Sequence, residues 1–593
     1  MIRKFYGLFT RIKIRRQSLY PIYQQNFIKL MEPAKTPEPP VPTEEKKISK
    51  KQLNKMRKKA AKAAKKEEAR KKREEEAKKL KATQPVEPEE NFEVPVLTKR
   101  EGNLYGDLEI IQSQQVENIK FLDISDLTPE MAGQSVWLRI RLQRSRVKKT
   151  VIFMVLRQRL FTIQAVAIKS ETIDKGFMKF LEGIPKESVL DVKGQVVIPT
   201  SPVESCSISN LEIKVENLIV VNRTIAPLPF VLEDASRKLT AKETEAMDND
   251  EGVEADPNDK SKMPIVGINQ RLNNRIMDLR TPANQGIFRV QSAVCTLYRE
   301  YLLSQGFIEI HSPKLLGGSS EGGSEIFKVD YFGKEACLAQ SPQLYKQMMI
   351  MADFERVFEI GPVFRAENSN THRHLCEFTG LDGEMEIKQH YFEVLDVIGN
   401  LFNHMFKGLE TRFAKQLEAV NNQYPFEPFK FLETPLKLTF EEGVALLKEN
   451  GIEQSVHEDL DTPTEKALGK LVREKYNTDF YILHRYPEEA RPFYTMLCKD
   501  DPRFTCSYDV FMRGEEIISG AQRIHDPVLL TKRAEEKGIE VSTIQDYVDS
   551  FSLGAFPHGG WGVGMERVVM LYLNVKNIRR TSAFPRDPKR ITP

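Results

Sequence analysis

Alternating apolar and polar positions predict a small β-rich module over residues 100–225. In VWLRIRL (136–142) every second residue is apolar, and LEIKVENLIVV (211–221) begins with the same alternation. The segments TVIFMVLRQ (150–158), LFTIQAVAI (160–168) and SVLDVKGQVVI (188–198) lie between them. Five short strands in about 100 residues predict a β-barrel of the OB type, with a β-sandwich as the alternative that periodicity leaves open.

The longer C-terminal part, residues 264–593, mixes helical and strand patterns. Apolar residues recur at three- and four-residue spacing from Ile287 to Tyr301, which predicts an amphipathic helix over 285–304 that ends at Gly306. The next segment, FIEIHSP (307–313), predicts a strand stopped by Pro313. Because helices and strands then alternate without a strict βαβ rhythm, we expect an α+β domain on a mostly antiparallel sheet.

Charge is distributed unevenly along the 593 residues, although the formal net charge is only +4. Residues 1–31 contain seven Lys/Arg and no Asp/Glu, residues 32–45 one Lys against four Glu, and residues 46–81 eighteen Lys/Arg against five Glu. The first 81 residues therefore carry +17 and the remainder −13. A strongly basic segment beside an acidic body indicates a nucleic-acid or membrane-surface partner.

The segments outside the two modules have distinct compositions. Residues 1–31 are a basic leader that resembles a mitochondrial transit peptide, with Met31 as a hypothetical alternative start. Residues 32–99 combine a Pro/Glu-rich linker with a Lys-rich stretch of helix formers, which we interpret as an RNA-binding helical arm rather than a solvated charged helix. Residues 226–263 predict a hinge, and its acidic insertion over 242–262 is expected to be mobile.

Composition argues against several classes of protein. The sequence has no run of 18 or more apolar residues, so no membrane-spanning helix is predicted. The six cysteines form no C-x-x-C pair, which argues against a disulfide framework or a zinc ribbon and fits a reducing compartment. The sequence contains no G-x-x-x-x-G-K-[ST] P-loop, so nucleotide phosphates would need another binding device.

Three segments of the C-terminal part are informative when their order along the chain is considered. They are the helix–strand–Pro313 unit, VFEIGPVFRAENSNTHRHLCEFTGLDGEMEI (357–387) and HGGWGVGMERVVMLYL (558–573). Each alone fits ordinary packing or a turn before a helix, but in this order they resemble the three motifs of class II aminoacyl-tRNA synthetases. The resemblance implies a catalytic domain that binds ATP and activates an amino acid as its adenylate.

The resemblance also assigns site residues. Adenylate formation spreads negative charge over the phosphoryl oxygens, so cations must be directed at them, and a planar guanidinium suits this. Arg365, Arg567 and Glu516 are implied to be catalytic, and Asp509 with Glu516 to hold Mg²⁺ through hard oxygen ligands. The implied ATP-binding residues are Arg365, Ala366, Glu367, Arg373, His374, Leu375, Phe378, Glu516, Gly564, Met565, Glu566 and Arg567.

Three further segments, GGSSEGGSEIF (317–327), QSPQLYKQ around Lys346 and SGAQRIHD (519–526), resemble aspartyl-tRNA synthetases of the eukaryotic cytosolic type (class IIb). The implied aspartate-binding residues are Ser320, Glu321, Gln343, Lys346, Arg365, Asp382, Ser519 and Arg523. Lys346 and Arg523 would face the side-chain carboxylate. Binding asparagine would leave their charges unpaired at a cost on the order of several kcal/mol.

For the barrel, the resemblance implies anticodon binding. Phe153 would stack on a base and Gln164 and Glu212 would read base edges, whereas by pattern alone Phe153 is predicted to be a core residue. The family further implies tRNA(Asp), L-aspartate and ATP as partners, a homodimer through the first motif, and a cytoplasmic protein. The transit-peptide character of residues 1–31 predicts an additional mitochondrial form. Membership of a multi-synthetase assembly stays open.

Three other functions fit parts of the same pattern. An asparaginyl-tRNA synthetase uses the same scaffold. An ammonia-dependent asparagine synthetase has the related catalytic fold, but it has no use for a barrel or a basic arm. A non-catalytic RNA-binding paralogue should have lost Arg365, Glu516 or Arg567, and all three are present.

Overall fold

The computed structural model describes residues 93–113, 116–248, 264–318 and 326–593. The leader over residues 1–31, the Lys-rich stretch over 46–81, and the Gly-rich segment that contains Ser320 and Glu321 lie outside these residues. Residues 93–593 group as one unit.

Apolar residues at alternate positions close the N-terminal module into a β-barrel. Its elements are β1 (Val96–Leu97), β2 (Tyr105–Leu108), β3 (Phe121–Leu122), β4 (Ser135–Lys148), β5 (Val151–Gln158), β6 (Phe161–Ile168), α1 (Lys175–Glu182), β7 (Val189–Val197) and β8 (Glu212–Asn222), with 3₁₀ turns at Ile124–Asp126 and Pro129–Met131. Strands β4, β5, β6, β8 and β7 pair in that order, and β7 pairs back to β4. Ring closure excludes a two-sheet sandwich, and the five predicted strand segments coincide with β4 to β8.

Two short helices, α2 (Leu232–Ser236) and α3 (Ala241–Asp248), follow the barrel. The expectation of a mobile insertion is wrong for residues 242–248, because Met247 is fully buried in the main core and Asp248 forms an ion pair with Arg580. One apolar anchor in an acidic stretch is enough to fix this helix. Residues 249–263 lie outside the described residues.

The C-terminal module is built on an eight-stranded sheet. Its helices are α4 (Ile268–Asn273), α5 (Arg275–Asp278), α6 (Pro282–Ser304), α7 (Gln343–Met351), α8 (Phe392–Arg412), α9 (Ala414–Gln423), α10 (Phe440–Glu449), α11 (Thr462–Tyr476), α12 (Pro527–Glu536), α13 (Gln545–Ser552) and α14 (Met565–Tyr572), with 3₁₀ turns at Glu488–Ala490, Val541–Ile544 and Ile578–Arg580. Its strands are β9 (Ile308–Glu309), β10 (Leu315–Leu316), β11 (Lys328–Tyr331), β12 (Lys334–Leu338), β13 (Arg356–Phe364), β14 (Glu377–Glu386), β15 (Leu436–Thr439), β16 (Phe480–His484), β17 (Ser507–Met512), β18 (Glu515–Gln522) and β19 (His558–Gly564).

The strand order of the large sheet is β15-β16-β17-β18-β19-β14-β13-β9, and β10, β12 and β11 form a separate small sheet. The inner pairings are antiparallel, whereas the edge pairs β15–β16 and β13–β9 are parallel. The predicted mostly antiparallel α+β domain is therefore confirmed.

The predicted helix over 285–304 is α6, which begins earlier, at Pro282. Thr281 caps it by accepting a hydrogen bond from the Asn284 N–H, and proline is well tolerated in the first turn of a helix. The strand predicted over 307–313 pairs only at Ile308–Glu309. Beyond it, the side chains of Ser312 and Lys314 bond to Glu359, which draws this stretch away from strand pairing.

One face of the sheet packs against α6, α8 and α14 in the main core. The indole N–H of Trp561 donates to the hydroxyl of Tyr298 (3.0 Å), and that hydroxyl donates to the backbone carbonyl of Asp382 (3.1 Å). Gly383 is needed here because a Cβ at this position would lie 2.3 Å from the Trp561 ring. This chain of contacts fixes β14 and β19, which carry much of the site.

Candidate active site

A row of residues crosses the centre of the large sheet. Asp382 on β14 pairs with Gly562 on β19, Gly562 pairs with Ser519 on β18, and Ser519 pairs with Asp509 on β17. Directly opposed residues project to the same face of a sheet. The side chains of Asp382, Ser519 and Asp509 therefore face one way, toward a cavity of about 840 Å³ that Asp382, Gly562 and Ser519 line.

A β-bulge brings Glu516 to the same face. The pairing of β17 with β18 shifts between Val510 and Phe511, so Ile518 and Glu516 oppose consecutive residues and Ile517 is the extra residue. Without a bulge, strand alternation would turn Glu516 away from Ser519. With it, both line the cavity.

Asp509 is held by Arg491, a residue that the sequence analysis did not single out. The guanidinium donates to both carboxylate oxygens of Asp509 (2.9 and 2.7 Å) and to the hydroxyl of Ser519 (2.6 Å), and it stacks 4.0 Å from the ring centroid of Tyr486. Arg491 lies in EEARPFY, which matches no motif, and its pairing with Asp509 emerges only in the fold.

Glu516 is the most perturbed acid of the site. Burial and the neighbouring charge of Asp509 raise the pKa of Glu516 to about 8, and burial raises the pKa of nearby Glu465 to about 7. Arg567 donates to the backbone carbonyl of Glu516 (3.1 Å) and approaches that of Arg373 (3.4 Å). Two of the predicted cations, Arg567 and Arg373, thus lie together at this end of the cavity.

Two buried cations occupy the other end. Lys346 on α7 is 1 % exposed and donates to Asp382 (3.1 Å) and to the Trp561 carbonyl (2.7 Å). Arg523 forms two hydrogen bonds to Glu384 (2.8 and 3.1 Å), which also lies 3.6 Å from Lys346. Burial opposes the charge of Glu384, but Arg523 and Lys346 hold its pKa below the usual value.

Glu384 is a second residue that the sequence analysis missed. It is fully buried, it lies two residues after Asp382 on β14, and Gly560 opposite it leaves room for its carboxylate. The sequence could have indicated Glu384 through the alternation along β14, because residues two apart in a strand share a face with each other, here Asp382 and Glu384.

Strands β13 and β14 and their connection carry the second motif. The guanidinium of Arg365 lies 5.7 Å from the centroid of the Phe378 ring and 3.9 Å from the carboxylate of Glu367. His374 is bonded through Nδ1 to the hydroxyls of Thr371 (2.5 Å) and Ser369 (3.2 Å). Burial, aided by the charge of Arg567, lowers the pKa of His374 and so favours the neutral ring.

Most predicted site residues meet in this one cavity. Those that line it are Gln343, Arg365, Glu367, Arg373, His374, Leu375, Phe378, Asp382, Glu516, Ser519, Arg523, Gly564, Glu566 and Arg567. Lys346 and Asp509 contact lining residues from just behind them. Ala366 and Met565 do not line the cavity; the Met565 sulfur packs 3.1 Å from that of Cys295, which leaves only its backbone for ATP.

The three barrel residues lie on neighbouring strands. Val155 on β5, beside Phe153, opposes Gln164 on β6, and Gln164 pairs with Glu212 on β8 and donates to its carboxylate. Phe153 is half-buried between fully buried Ile152 and Met154, so it points away from the barrel core. Lys148 lies 5.5 Å from the centroid of its ring. An outward aromatic beside a cation is compatible with base stacking.

Comparison with known proteins identifies the family. The family described as tRNA synthetases class II (D, K and N) matches residues 267–588. Aspartate–tRNA ligase 1, cytoplasmic, of Arabidopsis thaliana is 50% identical over 490 residues, which cover 82% of this chain and 90% of that protein. The chain belongs to the aspartate–tRNA ligase family. The cytoplasmic aspartate–tRNA ligase of Homo sapiens is 49% identical over 489 residues, covering 82% of this chain and 94% of that protein.

Comparison with solved structures distinguishes this family from the asparaginyl-tRNA synthetases. The aspartyl-tRNA synthetase from Entamoeba histolytica has a TM-score of 0.75 and 43% identity, with 86% of this chain and 100% of that chain covered. The asparaginyl-tRNA synthetase from Pyrococcus horikoshii complexed with asparaginyl-adenylate has a TM-score of 0.66 and 27% identity, with 80% and 100% covered. The chain is thus more similar to these aspartate–tRNA ligases than to the asparaginyl enzyme.

Proposed function

We propose that the protein attaches L-aspartate to tRNA(Asp) in two steps. Aspartate and ATP give aspartyl-adenylate and pyrophosphate, and the aspartyl group then passes to the 3′-hydroxyl of the terminal ribose of the tRNA with release of AMP. The observation that carries the proposal is the buried pair Lys346 and Arg523 beside Asp382 at one end of the cavity. Membership of the aspartate–tRNA ligase family supports it.

The buried pair explains the choice of amino acid. Asp382, with Gln343, would receive the substrate ammonium, while Lys346 and Arg523 would receive the side-chain carboxylate. Glu384 already contacts both cations, so it neutralises part of their positive charge and fixes their orientation. Asparagine offers a neutral amide, which leaves the remaining positive charge buried without a counter-charge, at a cost on the order of several kcal/mol.

The other end of the cavity would hold ATP. Arg365 would fork onto the α-phosphate and the attacking carboxylate, with Arg567, Arg373 and His374 toward the terminal phosphates. The Phe378 ring beside Arg365 offers a stacking surface for adenine, and Glu367 would accept from its amino group. Positioning and charge stabilisation supply the rate, since in-line attack at phosphorus requires no covalent enzyme intermediate.

Asp509 and Glu516 are proposed to hold Mg²⁺. Their oxygen ligands are of the type that Mg²⁺ prefers. Burial and the charge of Asp509 raise the pKa of Glu516, and a dication beside the two carboxylates would favour the charged form of Glu516. Among the described residues, no group of three or more His, Cys, Asp or Glu side chains is arranged as a metal site. Bound there, Mg²⁺ would neutralise charge on the ATP phosphates.

The proposed domain arrangement extends to the remaining segments. Residues 100–225 would be an OB-fold anticodon-binding domain using Phe153, Gln164 and Glu212, and residues 32–99 an arm that attracts tRNA without sequence preference. Residues 264–593 would be the catalytic domain and would form a homodimer through the first motif. No helix in the described part of the chain is long and apolar enough to span a membrane. Cytoplasmic location is proposed from the relatives, with a second mitochondrial form through residues 1–31.

Amino-acid-dependent ATP–pyrophosphate exchange tests the proposal. Aspartate should support exchange and asparagine should not, because of the buried cations. Exchange with asparagine in preference to aspartate would instead establish the asparaginyl function. Arg365→Ala should abolish exchange, whereas Arg503→Ala, at an exposed ion pair with Asp501, should leave it unchanged. Charging of purified tRNA(Asp) and tRNA(Asn) then decides the tRNA specificity.

A further inference from the structure

Two cysteines lie side by side in the loop between β16 and β17. The sulfur atoms of Cys498 and Cys506 are 3.9 Å apart, and both cysteines are free thiols. A short antiparallel pairing joins the two arms that carry them: Leu497 pairs with Thr505, the Cys498 N–H donates to Phe504, and the Cys506 N–H donates to Met496. The two side chains therefore project from the same side of a small hairpin as diagonal neighbours.

The two thiols of the pair differ in their environment. The hydrogen bond between the two sulfurs, together with the positive charge of Arg485, lowers the pKa of Cys498. The same hydrogen bond and burial raise the pKa of Cys506. Arg485 is itself paired with Asp500 on the exposed side of the loop (2.6 Å). A thiol with a lowered pKa beside a resolving thiol is the arrangement found in reactive dithiols, and here Cys498 is buried whereas Cys506 is partly exposed.

This hairpin is bonded directly to the proposed aspartate pocket. The N–H of Gln522 donates to the carbonyl of Cys506 (2.9 Å), and the N–H of Met496 donates to the carbonyl of Gln522 (3.0 Å). The next residue, Arg523, directly follows the end of β18 and forms an isolated bridge with Thr495. A change in the spacing of the two hairpin arms therefore acts on the strand end that carries Arg523.

We propose that Cys498 and Cys506 form a redox site that reacts with hydroperoxides and, as a disulfide, weakens aspartate binding. The thiolate sulfur of Cys498 attacks the peroxide, the O–O bond breaks, and a sulfenic acid forms. The other oxygen leaves as alkoxide or hydroxide and takes up the proton that the Cys498 thiol released, which gives alcohol or water. Cys506 then attacks the sulfenic sulfur, and its proton leaves with the hydroxyl as water. Two thiols are oxidised by two electrons in total, and one peroxide is reduced.

Formation of the disulfide requires the two arms of the hairpin to move. An S–S bond measures about 2.05 Å, so the sulfurs must approach by nearly half of their present separation. Diagonal positions lie farther apart than the positions that disulfides usually join, so the backbone must move with the sulfurs. This movement pulls Cys506 and its hydrogen-bonded neighbour Gln522.

Peptide mapping of the full-length protein tests the chemistry. After treatment with one equivalent of hydrogen peroxide, a crosslinked peptide containing Cys498 and Cys506 should appear with the loss of two hydrogen atoms, and dithiothreitol should remove it. In Cys506→Ser the sulfenic acid at Cys498 should persist and be trapped by dimedone. Oxidation at the other cysteines without a Cys498–Cys506 crosslink would overturn the proposal.

Aspartate-dependent pyrophosphate exchange tests the coupling and, unlike the mapping, rests on the proposed function. Oxidation should raise the KM for aspartate roughly 3- to 10-fold, because displacements near 1 Å in a binding site have effects of this size or larger. Dithiothreitol should restore it, and the KM for ATP should change less. Cys498→Ser and Cys506→Ser should each keep the KM of the reduced enzyme before and after peroxide treatment, because neither can form the crosslink, whereas Cys206→Ser, in the barrel, should respond like the wild type.

The two proposals fail in different ways. A crosslink with no change in the KM for aspartate would overturn the coupling to the pocket. A reduced enzyme that shows no aspartate-dependent exchange would contradict the proposed function, while the mapped crosslink would still decide whether the redox site exists.

Discussion

At the scale of single residues, Arg491 shows how much one buried cation can control. It is the shared donor of Asp509 and Ser519, and both acceptors lie in the row that crosses the sheet. Arg491→Met should lower the free energy of unfolding by roughly 3 kcal/mol, since it leaves Asp509 buried without its partner. It should also abolish pyrophosphate exchange. Arg491→Lys keeps the charge but loses the two-pronged geometry, so its activity should be intermediate.

A matched control for Arg491 is Arg503→Met, which breaks the exposed ion pair with Asp501. Exposed pairs contribute at most about 1 kcal/mol, so its urea midpoint and exchange rate should stay near those of the wild type. Equal effects of Arg491→Met and Arg503→Met on the urea midpoint and the exchange rate would mean that the Arg491 contacts contribute to neither stability nor activity.

His558 predicts a pH dependence of stability. Burial lowers its pKa to about 4, against about 6.5 in an unfolded chain. Between these values the unfolded state binds more protons, so the contribution of His558 to the free energy of unfolding falls as the pH falls from about 6.5 to about 4. His558→Gln lacks this titration, so the stability difference between wild type and variant should narrow over that range in urea unfolding series. A stability difference that stays constant over this range would contradict the prediction.

At the scale of elements, strand and helix periodicity was enough to predict much of the fold. The five barrel strands and α6 follow from spacing alone, because each buries one face. The bulge at Ile517 could not be predicted, since a register shift is a property of two strands and leaves the alternation of either one unchanged. The same holds for Arg491 and Glu384, whose importance lies in partners far away in sequence.

The capping box of α10 can be recognised in sequence and tested directly. Thr439 accepts from the Glu442 N–H (3.1 Å), and Glu442 accepts from the Thr439 N–H (2.8 Å). Thr439→Ala should therefore lower the free energy of unfolding by about 1 kcal/mol in urea melts. Thr296→Ala, in the interior of α6 with its hydroxyl bonded back to Ser292, should have little effect, and an equal loss there would refute the role of the cap.

At the scale of the whole molecule, composition predicts that the basic arm attracts tRNA and that the acidic body carries out adenylate formation. Deleting residues 32–82 removes most of the basic excess, so tRNA affinity should fall and the slope of log Kd against log salt should flatten. Adenylate formation should be unaffected, because the site residues assigned to ATP and aspartate all lie between residues 320 and 567. Filter binding over a salt series checks this, and an unchanged slope would contradict it.

A buried junction joins the barrel to the C-terminal module. Glu187, 2 % exposed, accepts from Arg157 of the barrel (2.6 Å) and from Arg280 just before α6 (3.0 Å). Sequence patterns predicted both modules but no contact between them, because such a pairing depends on the docked geometry. Glu187→Gln should weaken the docking, and trypsin should then cleave between the modules faster than in the wild type. Unchanged cleavage would mean that the junction is held elsewhere.

The loop that carries His374 depends on residues far along the chain. Arg579 donates to the carbonyl of Thr371 (2.8 Å) and to the side chain of Asn370 (3.0 Å), and Cys376 donates to the carbonyl of Arg586 (2.9 Å). These partners are about 208 residues apart in sequence. The wall of the cavity that His374 forms is therefore held by the C-terminal segment of the chain. Removing residues 579–593 should impair pyrophosphate exchange, although none of these residues is a proposed ATP-binding side chain.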